Sequence, residues 1–125
     1  METLKKFESF HDWYLMGISA DMKAGVVELA LMFDDGKARA RVRFKGASRC
    51  HMNDFLIQNI IYDAKILTDY SASEYKRALD SLETSYFGKE NHQPKPIAVF
   101  AATLGAELLV EFETVDVVSG STELP

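Results

Sequence analysis

The chain reads as an α+β protein, a predominantly antiparallel sheet of about six strands with one amphipathic helix packed on it. Three observations predict this. Apolar and polar residues alternate over several short segments, an Asp-Gly pair joins two of the most regular ones, and a single stretch after Ser71 carries helical spacing instead. Mostly local connections imply antiparallel pairing.

Taken in order, residues 1–10 form a lead-in, with Leu4 and Phe7 three apart on one side. Trp13 to Ala20 is a first strand, and Asp21 to Gly25 a turn. From Val26 to Phe33 the residues Val27, Leu29, Leu31 and Phe33 fall on one face, with Val26, Glu28, Ala30 and Met32 on the other. Asp34-Asp35-Gly36 then signals a hairpin. In the returning strand Ala38, Ala40, Val42 and Phe44 point one way, and Lys37, Arg39, Arg41, Arg43 and Lys45 the other. Gly46 marks a bulge or bend, followed by a weaker strand from Ala47 to Met52. After an Asn53-Asp54 turn, Gln58 to Leu67 is a strand with Ile60, Tyr62, Ala64 and Ile66 on one side.

Ser71 and Glu74 have the spacing of a capping box, and Tyr75, Ala78, Leu79, Leu82 and Tyr86 form one helical stripe. Gly88 is placed to stop the helix, and Lys89 to Pro96 is a surface loop. Ile97 to Leu104 and Glu107 to Val118 make a closing hairpin through Gly105-Ala106. Residues 119–125 read as a frayed tail, and no repeat or linker divides residues 1–125 into more than one domain.

Composition narrows the function classes. With 125 residues the chain can bury about two thirds of its unfolded surface, so no disulfide or metal is needed to hold it. A 47% hydrophobic and 26% charged composition argues against disorder. The lone Cys50 permits no internal disulfide and fits a reducing compartment. No apolar run has the length of a bilayer span, and the charged N-terminus lacks a signal-peptide core, so the expected location is the cytoplasm. A net charge of −5 argues against non-specific nucleic-acid binding.

Catalytic and metal chemistry find no support in the residue spacing. His11, His51 and His92 are scattered without partners at ligand spacing, so no metal is expected. Cys50 adjoins His51, but neighbours on a strand point to opposite faces and no nucleophile signature surrounds them. The seven glycines are isolated and none opens a phosphate-binding loop, so no cofactor is expected either.

The charge pattern is more informative. Lys37, Arg39, Arg41, Arg43 and Lys45 stand about 6.6–6.8 Å apart on one face. Glu107, Glu111 and Glu113 share a face of the last strand. Were the two strands neighbours, the stripes would neutralise each other as a solvated outer face. Otherwise Arg39, Arg41 and Arg43, or the three glutamates, form a docking surface for a protein partner. Stacking aromatics do not interleave with the cations, which disfavours nucleic acid. Trp13 is either a core residue or an interface anchor.

The segments Phe10-His11-Asp12-Trp13, Phe44-Lys45-Gly46-Ala47-Ser48, Asn53-Asp54-Phe55 and Asn59-Ile60-Ile61-Tyr62-Asp63 resemble those of small bacterial immunity proteins. The resemblance spans roughly the first 65 residues. It implies a cytoplasmic antidote that binds and blocks a toxin domain, and no catalytic residue. Opposite potentials speed encounter, so an acidic chain would suit a basic toxin. The expected function is thus a non-enzymatic protein-binding domain. The alternatives are a structural module that self-associates, for instance as a homodimer through a sheet edge, and a small hydrolase or ligand-binding protein with a pocket between helix and sheet.

Overall fold

The computed structural model describes residues 8–85 and 93–120. A 3-10 turn at Glu8–Phe10 precedes β1 (Tyr14–Asp21), β2 (Val26–Met32), β3 (Arg39–Lys45), β4 (Arg49–Asn53) and β5 (Ile60–Leu67). Then come the helix α1 (Ser73–Ser85), β6 (Ile97–Leu104), β7 (Glu107–Glu111) and β8 (Thr114–Gly120). The strands form one antiparallel sheet in the order β4-β7-β6-β5-β1-β2-β3-β8. The α+β class agrees with the sequence pattern, but the described residues form eight strands where the pattern predicts about six.

Local chemistry makes the first two hairpins. Asp21 accepts the Lys23 and Ala24 amides on one carboxylate oxygen, and Gly25 follows with φ of 67°. Asp35 does the same for Lys37 and Ala38, and the Ala38 and Lys37 amides hold its carboxyl below the usual range. Gly36, at φ of 73°, takes the left-handed conformation that completes the turn. The alternation of β2 and β3 then buries Val27, Leu29, Leu31, Ala40, Val42 and Phe44 on one side.

An additional strand arises at a corner, where the segment expected as one strand divides into β7 and β8. The chain from Lys37 onward does not continue beside β2 after Gly46; it turns, and β4 pairs with β7 instead. Glu107 to Val118, which alternates like one strand, breaks at Phe112-Glu113. There the Phe112 N–H bonds the Pro96 carbonyl and the Glu113 N–H bonds the Lys45 carbonyl. The Ser48 N–H bonds the Glu111 carbonyl, so the β3–β8 and β4–β7 ladders form one long bent ribbon. Gly46 has φ of 63°, and a Cβ there would meet the Glu113 side chain at 2.7 Å. Because β4 and β8 are the two ends of the strand order, this ribbon brings the ends together around the core.

That core gathers Leu15, Leu29, Val42, Phe44, Ile61, Phe100, Leu108 and Phe112 from both halves of the sheet. On the outer side of β6, α1 buries Tyr75, Ala78 and Leu82 against Ile97, with Leu67, Val99 and Leu109 alongside. The Tyr75 hydroxyl donates to the Lys95 carbonyl at 2.7 Å.

Three further expectations are corrected. Strict alternation fails in β5, where a bulge at Ile61–Asp63 buries Ile61 and Ala64 and leaves Tyr62 exposed. The capping box does not form: Asp69 captures both the amide and hydroxyl of Ser71, α1 starts at Ser73, and Glu74 pairs with Lys65. Ser119 and Gly120 belong to β8 rather than to a tail. Leu4, Phe7, Tyr86, Gly88, the loop residues 89–92 and residues 121–125 lie outside the described residues.

The β4–β5 loop is rooted by Asn59, 2% exposed, whose Oδ1 accepts the Leu56 and Ala106 amides at 2.9 Å while its Nδ2 donates to the Leu56 carbonyl. Gly105, at φ of 85°, leaves the room; a Cβ there would collide with Asn59 Oδ1. Asn59→Ala should cost about 1–3 kcal/mol for each buried amide left unpaired, measured by urea unfolding. Asn59→Asp should also destabilise, because it keeps the acceptor but sets a buried carboxylate oxygen against the Leu56 carbonyl.

Candidate partner-binding surfaces

β3 carries its basic stripe on the outer face, and the neighbours that neutralise it are β2 and β8. Glu28 receives Arg41 Nη1 at 2.7 Å and Arg43 Nε at 3.2 Å, and Asp116 lies 2.6 Å from Lys45 Nζ. Arg39 differs, with its Nη1 buried and without a hydrogen-bond partner among the described residues. The stripe is largely a cross-strand ion-pair lattice, in which each exposed pair contributes ~0–1 kcal/mol.

Glu107 and Glu111 do not face that stripe, because β7 lies beside β6 and β4, whereas Glu113 adjoins the end of β3 at the corner. The three also separate from one another. Glu113 sits in the corner, 3.5 Å from Lys95 Nζ, and Glu107 is exposed opposite Asn53. Glu111 is fully buried. Its carboxylate receives Arg49 Nε at 3.0 Å and Nη2 at 2.9 Å, a two-point pairing, and the Ser48 hydroxyl at 2.6 Å. Glu111 therefore offers no surface to a partner. Trp13 offers little, being 8% exposed and packed edge-on against Phe10 at 5.3 Å and against Phe33 at the same distance.

The surface that sequence reading passes over is the β4–β5 loop. Phe55 and Leu56 are each 48% exposed and Ile57 is 105% exposed, three consecutive apolar residues in water. The Leu15 N–H bonds the Asn59 carbonyl and Ile60 pairs with Leu104, so the exposed Met16 and Leu104 flank the root of this loop. Asp54 and Glu107 are exposed at its base and make no ion pair among the described residues, and no Lys or Arg occurs from Asn53 to Ala64. A signal was present in the sequence: an apolar triplet between Asn-Asp and Gln-Asn, residues that favour turns.

Beside α1 a groove of about 280 Å³ runs over the outer face of β4, β7 and β6, with Val99 and Leu109 as floor and His51, Glu74, Arg77 and Glu107 on its rims. His51 lines it, but neither Cys50 nor His11 does. Cys50 packs against the core, and burial pushes its thiol up to about 11, so it is a thiol rather than a thiolate near neutrality. His11 is elsewhere, its Nδ1 2.6 Å from the Tyr62 carbonyl. Among the described residues no three His, Cys, Asp or Glu side chains gather as a metal-ion cluster. None of their helices is long and apolar enough to cross a membrane.

No protein-family model matches the chain, and no similar curated protein is found.

Removing either partner of the buried Arg49–Glu111 pair should cost about 3–5 kcal/mol. The double variant Arg49→Met with Glu111→Leu should be less destabilised than either Arg49→Met or Glu111→Leu alone, a coupling that the double-mutant cycle of these variants in urea measures. Cys50 should react with iodoacetamide at pH 7 much more slowly than in the unfolded chain, with the rate rising as pH approaches 11.

Proposed function

We propose that the chain is a cytoplasmic, non-enzymatic protein-binding domain that neutralises a toxin domain by covering it, and that its partner is basic. The supporting observation is where the charges lie. Arg41, Arg43 and Lys45 share the two carboxylates of Glu28 and Asp116, which leaves the β3 face cationic, so the net charge of −5 is carried elsewhere, with Asp54 and Glu107 among its contributors. Exposed carboxylates at the base of an apolar tip steer and orient a basic protein. The likeness of the first half of the chain to immunity proteins points the same way, and the thiol of Cys50, held protonated by burial, suits packing better than nucleophilic attack.

The test uses three tagged baits in the source organism: the native chain, the triple variant R39E/R41E/R43E and the double variant D54K/E107K. One stoichiometric partner should be retained by the first two and lost by the third. With that partner purified, D54K/E107K should slow association on the order of tenfold at low salt, and high salt should erase the difference. Loss with the arginine variant and retention with the acid-reversed one would exclude the acidic end as the docking surface.

A further inference from the structure

We infer that the Phe55-Leu56-Ile57 tip is the anchor of that interface, inserting into an apolar recess ringed by Lys or Arg on a partner protein. The inference rests on the protein-binding reading above and specifies its site. Isolated exposed apolar residues are ordinary, but three in succession at a loop tip, with Ile57 wholly in water, lower solubility unless something covers them. The tip is also held in place. Asp54 turns the backbone at φ of 57° where the loop leaves β4. At the other end the Asn59 amide fastens Leu56 through both its N–H and its carbonyl, and also bonds the Ala106 amide. A loop fixed before binding loses little conformational entropy on docking, which is how a small apolar anchor contributes strongly to affinity.

Shape and charge select the occupant. A protruding tip needs a recess, and the groove beside α1 that a second copy would offer carries Glu74 and Glu107 on its rim, which repel Asp54 and Glu107 at the base of the tip. Asp54 and Glu107 at its base would be repelled by the anionic headgroups that draw peripheral proteins to membranes, and no cation lies between Asn53 and Ala64 to offset them. The same carboxylates complement cations around a protein recess.

The experiment places p-benzoylphenylalanine at position 57 of the full chain, with Met22, 92% exposed at the far hairpin, as the control site. Photolysis in the source organism should join position 57, and not position 22, to one protein, at a peptide combining apolar residues with Lys or Arg. Ile57→Asp should then weaken binding of that purified partner on the order of 30-fold without shifting Tm, since the side chain touches solvent. Equal capture by native and Ile57→Asp chains would overturn the anchor while leaving the protein-binding reading intact; no partner with either would remove both. Sedimentation with vesicles of phosphatidylcholine and phosphatidylglycerol, or an Ile57-dependent dimer in analytical ultracentrifugation, would overturn it in favour of lipid or a second copy.

Discussion

A carboxylate with no access to water, that of Glu111, sits where the sheet turns back on itself. A charge in that position is sustainable only if it is paired and hydrogen-bonded. Arg49 supplies the pairing and Ser48 a third hydrogen bond, and both belong to the short segment that follows the bend at Gly46. The interaction therefore fixes more than two side chains. It ties the start of β4 to the end of β7 at the register that makes the β3–β8 and β4–β7 ladders one ribbon. A slip of one residue there would turn Glu111 away from Arg49 and expose Val110 and Leu108. The apolar core gains its closed shape from the same corner, because Phe112 enters it immediately after Glu111.

What could be read from the sequence was whatever depends on near neighbours. The β2–β3 hairpin is set by alternation and by Asp35 and Gly36, all within a few residues, and it is present as expected. The features that eluded the pattern depend on remote partners. The break at Phe112-Glu113 is made by the Pro96 and Lys45 carbonyls. The burial of Glu111 depends on a guanidinium 62 residues away. Ser71 had the right spacing from Glu74 for a capping box, but Asp69 lies closer in sequence and takes the hydroxyl first. At the candidate site the charges were legible but not their pairing. Glu107 keeps an exposed position, Glu111 and Trp13 belong to the interior, and Arg41 and Arg43 of β3 pair with Glu28 rather than with β7.

The surface that results is divided in character. One half of the sheet shows water the cations of β3, of which Arg41, Arg43 and Lys45 are held in ion pairs by Glu28 and Asp116. The opposite end shows two carboxylates without ion-pair partners among the described residues, and a clamped apolar tip. The clamp is itself dependent on backbone freedom elsewhere, since Asn59 fits beneath the loop only because residue 105 is glycine. A structural asparagine and a turn glycine thus shape a surface that neither of them touches.

The bent ribbon also bears on how the chain reaches its fold. β1–β2, β2–β3 and β6–β7 are joined by short turns, but the ribbon pairs residues 39–53 with residues 107–120 across most of the polypeptide. Such pairing incurs a large loop-closure entropy before any contact offsets it, so the topology belongs with slow-folding, high-contact-order proteins. The corner requires β7 and β8, so it closes only once they have been synthesised. Until then the apolar faces of β2 and β3 have no roof, and the outward row of arginines and lysines on β3 keeps that unfinished sheet from pairing with another copy of itself.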